Sequence, residues 1–145
     1  MRKLFILMVS LFAATTAFAE QKVVQNGYEI HYNAFNSDFI SPEVAQANGL
    51  LRSKVRALVN VAVFELQADG SKRAVRARVD GTAANMLQQQ QELEFAPIQE
   101  QNALYYIGGF RFTNDERITI KLSVQPNPDR APIEIDFAQK FYTEQ

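Results

Sequence analysis

Three observations predict an all-β fold: runs of strictly alternating apolar and polar residues, turn-forming dipeptides between those runs, and enrichment of the runs in β-branched and aromatic residues. Seven such short runs in little more than a hundred residues predict an immunoglobulin-like antiparallel β-sandwich of about seven strands, with one short helix after the first strand.

The first run, residues 28–36, reads YEIHYNAFN and contains the only histidine of the chain. It leads into ISPEVAQANG, where Ser41 suits a helix cap and Pro42 the first helical position. Glu43 then meets the positive end of the helix dipole, and Asn48-Gly49 supply the left-handed conformation that ends a helix. Residues 55–67 include ALVNVAVFEL, nearly apolar on both faces as expected of a central strand. Asp69-Gly70 suits a tight hairpin turn into residues 72–80, where Val75, Ala77 and Val79 oppose Arg76 and Arg78. Residues 87–96 are assigned as strand on the alternation of Leu93 and Phe95, although TAANMLQQQQELEF also offers good helix formers after Thr82. In residues 103–113, ALYYIGGFRFT, Gly108-Gly109 marks a bulge or a close backbone approach. Ile118, Ile120, Leu122 and Val124 alternate with Thr119, Lys121 and Ser123 over residues 117–125. PNPDRAP then breaks the sheet, and residues 132–142 set Ile133, Ile135 and Phe137 against Glu134 and Asp136.

The chain opens MRKLFILMVSLFAATTAFAEQ. Arg2 and Lys3, the apolar stretch that follows and Ala17-Phe18-Ala19 read as a signal peptide over residues 1–19, cleaved after Ala19. The expected product is a single sandwich domain over 20–145 in the periplasm, with no transmembrane anchor after cleavage, since no apolar run reaches the roughly 20 residues of a membrane span. Cleavage would lower the basic residues from 15 to 13 against 16 acids, a net charge near −3 that argues against a nucleic-acid partner. There are no cysteines to form disulfides, so buried apolar area must stabilise the fold, and the chain's 11 phenylalanines, less those that leave with residues 1–19, and 5 tyrosines supply it.

YEIHYNAFNSDFISPEVAQANGL, the RSK at Arg52 to Lys54, Asn60, LEFAPI and ALYYIGGF together resemble a family of small exported Gram-negative proteins catalogued as a domain of unknown function. The resemblance spans nearly all of the chain after residue 19 and implies a periplasmic β-rich domain, with no established activity, cofactor or catalytic residue. One departure is Gln90, where the resemblance implies a glycine.

Candidate sites follow from the polar residues. His31 shares a strand face with Glu29 and Asn33, but alternate residues stand about 7 Å apart along a strand, too wide to form a metal cluster or a nucleophile–base pair unaided. No metal motif, nucleophile elbow or phosphate loop is present, so no catalytic residue, cofactor or metal ligand is assigned. His31, Asn33, Asn36, Asp38, Arg52, Ser53 and Asn60 are expected to meet where the first strand, the helix and the second strand join, as a structural lock or a ligand pocket. Lys72, Arg73, Arg76 and Arg78 form a basic stripe, either guarding a sheet edge or facing an anionic partner. The expected function is non-catalytic binding of an envelope protein or polymer. A hydrolase or metal-dependent enzyme centred on His31, and a small outer-membrane β-barrel, are the alternatives.

Overall fold

The computed structural model describes residues 21–143, so the expected signal peptide lies outside the described residues. The strands run β1 (Gln21–Gln25), β2 (Tyr28–Asn36), β3 (Arg56–Leu66), β4 (Lys72–Ala74), β5 (Arg78–Ala84), β6 (Gln90–Leu93), β7 (Ala96–Glu100), β8 (Ala103–Arg111), β9 (Glu116–Gln125) and β10 (Ile133–Phe141). A 3-10 turn at Ser37–Phe39 and helix α1 (Pro42–Ala47) separate β2 from β3. Every strand pairing is antiparallel. One sheet runs β1-β2-β3-β8-β7, with β4 continuing beside β3 beyond the reach of β8; the other runs β10-β9-β5-β6.

The all-β sandwich with one short helix is what the alternation implies, and the alternation also explains the core. Ile118, Ile120, Leu122 and Val124 of β9 are buried against Val59, Val61 and Val63 of β3 and Phe110 of β8, while their alternating partners lie outside. Phe141 ends β10 edge-on to Phe110, ring centroids 5.2 Å apart at 84°, a favoured aromatic arrangement. The apolar side of the strands therefore turns inward between two sheets.

Among the described residues, ten strands stand where seven were expected, for three local reasons. Residues 21–25 add an edge strand through Asn26-Gly27, whose positive φ values of 54° and 81° give the hairpin turn that matches strand twist. Residues 72–80 are not one strand: the chain leaves the first sheet after β4 and enters the second at β5, with Ala77 N donating to the Tyr106 hydroxyl at 3.0 Å during the crossing. Residues 87–96 cross back, from β6 to β7. Gly108 lies under this second crossing, where a Cβ would sit 3.1 Å from the Glu94 carbonyl and 3.3 Å from the Phe95 ring. Its role is close approach.

Candidate functional site

Odd-numbered residues of β2 and even-numbered residues of β3 face outward from the six-stranded sheet, since Ile30 and Ala34, and Val59, Val61 and Val63, face the core. The register sets Glu29 opposite Phe64, His31 opposite Ala62, and Asn33 opposite Asn60. One outer face thus carries Glu29, His31 and the two asparagines in sequence along β2 and β3.

Glu29 is buried, yet it is ionised. Its carboxylate accepts from His31 Nε2 at 3.0 Å and from Lys72 Nζ at 2.9 Å, and Lys22 Nζ lies 3.5 Å away. The His31 hydrogen bond and then the Lys72 hydrogen bond hold its pKa down to about 2, against burial, which pushes the other way. Phe64 completes the cluster: the His31 ring stands edge-on to it at 5.6 Å, and the Lys72 ammonium lies 5.0 Å from its centroid. The 7 Å spacing along the strand did not keep Glu29 and His31 apart, because their long side chains lean along β2 and close the gap. Glu29 was missed as a central residue, although its period-two relation to His31 was legible.

The expected polar cluster divides in two. At the corner, Asn36 Nδ2 donates to the Tyr142 carbonyl at 2.7 Å, and Arg52 Nη2 donates to the Asp38 carbonyl at 3.2 Å. Fully buried Ser37 ties the 3-10 turn to the loop before β3: its Oγ donates to the Ser53 carbonyl at 2.9 Å and accepts from Ser53 N at 2.8 Å. Ser53 Oγ in turn accepts from Val55 N at 3.2 Å. Asn33 and Asn60 sit apart from this corner, on the sheet. Asn60 lines a cavity of about 130 Å³ between α1 and the sheet, together with Phe35, Val44, Ile98, Tyr105 and Ile107. Asn60 Oδ1 is buried there with no hydrogen-bond partner among the described residues.

The basic stripe is largely paired. Lys72 is bound to Glu29, Arg73 Nη2 lies 3.3 Å from Glu65, and Arg78 Nε donates to Asp80 at 2.9 Å. Arg76 is exposed on the crossing between β4 and β5. Among the described residues, no group of three or more His, Cys, Asp or Glu is placed to hold a metal ion, and no helix is long and apolar enough to cross a membrane.

A family model described as Domain of unknown function (DUF4426) matches residues 22–144. Among solved structures, a DUF4426 family protein (PA0388) from Pseudomonas aeruginosa PAO1 is 28% identical with a TM-score of 0.75, covering 87% of this chain and 97% of that one. FetP of uropathogenic Escherichia coli strain F11, expressed recombinantly in the E. coli periplasm, is 12% identical with a TM-score of 0.63 over 87% of this chain and 95% of FetP. A copper-bound variant of FetP is 13% identical with a TM-score of 0.62, covering 87% and 97%. At such identities FetP shares the fold. No curated protein matches the chain.

Proposed function

The chain belongs to the DUF4426 family, a domain of unknown function, and on that premise we propose that it is a non-catalytic periplasmic domain that binds another envelope protein. The observation that carries this reading is the cavity beneath α1 with the unpaired Asn60 Oδ1. A buried acceptor without a donor costs about 1–3 kcal/mol, so a donor supplied by a partner recovers up to that much on binding. About 130 Å³ is close to the roughly 150 Å³ of an apolar cavity that holds benzene, so one aliphatic or aromatic group fits. β7 borders the cavity through Ile98 and forms a free edge of the sheet, where an extended partner segment adds a strand and places one side chain inside. An N–H or O–H on that segment then satisfies Asn60.

Export is supported by the amino-terminal pattern and by the fold shared with FetP, which was expressed in the periplasm. The chemistry of the outer face supports binding over catalysis. Its one carboxylate–imidazole pair is closed by two ammonium groups, leaving no base directed at a substrate. Copper, which the FetP variant holds, does not fit this pair: Lys22 and Lys72 already neutralise Glu29, and no third His, Cys, Asp or Glu joins it among the described residues.

A photo-crosslinking amino acid at Ile98 tests the reading in living cells. The expected outcome is a discrete adduct with one envelope protein, absent when the label is moved to Arg76. Asn60→Leu narrows the cavity and removes the orphan acceptor, so the variant should melt at the same or a higher temperature while the adduct disappears. An undiminished adduct in Asn60→Leu refutes the cavity as the binding site.

A further inference from the structure

The register gathers one set of strand ends at one end of the sandwich. Asn36 pairs with Ala57, Arg56 with Arg111, Ala84 with Thr119, and Phe141 with Glu116. The two sheets are tied there by Gln91, which donates to the Arg111 carbonyl and accepts from its N–H, and by Asn36 bonding the Tyr142 carbonyl. The loops that leave this end carry exposed Phe39, Leu51, Val55, Met86, Leu87 and Tyr142. Among the described residues, only Val24 and Leu66 are exposed large apolar side chains at the opposite end.

Met86 and Leu87 are 77% and 79% exposed, and the turn that presents them is braced. Asn85 Oδ1 accepts from Leu87 N and Gln89 N, each at 3.0 Å, and Asn85 Nδ2 donates to Gln89 Oε1 at 2.7 Å. Asn85 N also donates to the Gln89 carbonyl at 3.1 Å, and Gln88 adopts a φ of +64°. This hydrogen-bonding fixes the two least polar residues of the turn in water, the reverse of what solubility favours.

Charge identifies the occupant. Arg52, Lys54, Arg111 and Arg117 are exposed around these tips, and none forms an ion pair with another described residue. Of the described acids at this end, Asp115 is paired with Lys140 and Glu116 accepts from Thr113, leaving Asp38 and Glu43 against four cations without an ion-pair partner among the described residues. A second copy of the chain would bring two cationic collars together. The apolar side chains also stand on separate projecting loops, which suits a deformable plane of lipid better than a shaped protein groove.

We propose that this end of the sandwich docks on an anionic phospholipid surface, with Met86, Leu87, Phe39 and Leu51 entering the headgroup–acyl boundary and Arg52, Lys54, Arg111 and Arg117 meeting lipid phosphates. None of these eight side chains lines the cavity at Asn60, although Ile40 and Leu50, which do, adjoin Phe39 and Leu51; Met86 and Leu87 stand on a different loop, so a test made through them does not depend on a protein partner. The probe is vesicle co-sedimentation of the processed chain, residues 20–145, which contains the whole described fold without the apolar leader. Vesicles of phosphatidylethanolamine with phosphatidylglycerol should bind it at least about tenfold more tightly than vesicles of phosphatidylcholine alone. Added salt should weaken that preference.

Changing Met86→Ser together with Leu87→Ser should lower the partition coefficient at least about tenfold while the melting temperature stays unchanged, because both side chains are already in water. Arg52→Glu with Lys54→Glu should abolish the preference for phosphatidylglycerol and leave the fold intact. Failure of the parent to bind the anionic vesicles overturns the proposal, as does equal binding by the double serine variant. A concentration-dependent dimer that the serine changes abolish overturns it too, by assigning the end to a second copy.

Discussion

Glu29 shows how one carboxylate can be both buried and charged. With a pKa of about 2 in the folded chain against an ordinary 4.5, its ionised form is favoured by folding. Its contribution to stability is complete above about pH 4.5 and is lost as the pH falls through about 2. Lys22 and Lys72 are half exposed, so water screens the pairing, and Glu29→Gln should cost about 1 kcal/mol at neutral pH. Urea denaturation across that acid window checks the prediction: the parent should lose stability as the pH drops, and the variant should show a flatter profile. The sequence revealed that Glu29 and His31 share a face. It did not reveal that Lys72, forty-three residues later, completes the site, because β4 reaches β3 only through tertiary pairing.

At the scale of elements, the insertion between β2 and β3 was the most legible. Ser41 Oγ accepts from Val44 N at 3.3 Å, Pro42 opens α1, and Gly49 adopts a φ of +65° after Asn48, in line with their local chemistry. What fastens the insertion was hidden, since nothing adjacent in sequence distinguishes Ser37 from the other serines. Ser37→Ala leaves the Ser53 N–H and carbonyl without their partner and should cost about 1–3 kcal/mol. Hydrogen exchange should then accelerate at the Ser53 amide before the amides of β9 respond. The two crossings, 72–80 and 87–96, were illegible for a different reason. Val75, Ala77 and Val79 all stay packed against the core as the chain passes between sheets, so the alternation continues unbroken while the hydrogen-bonding partner changes.

The described residues share one core, closed by β10, the latest of the described strands in chain order. Phe141 is almost fully buried against Phe110 and Phe112, and Phe141→Ala should cost about 3–5 kcal/mol because rigid strands on both sides cannot collapse into the void. A chemical-denaturation midpoint lowered without a change in slope is the expected signature. The sandwich as a whole was legible because β9 and β10 alternate almost without exception; the division of strands between the sheets was not, since alternation records a face and not a neighbour.

Closure by β10 also sets a timetable. The second sheet cannot form its β9–β10 pairing, nor can Asn36 reach the Tyr142 carbonyl, until residues near 142 are free to move. While residues near 142 are held in a ribosome tunnel or a pore, the second sheet therefore lacks its outer strand and the two sheets lack the Asn36 tie, so the release of β10, more than its synthesis, is the moment at which the sandwich closes.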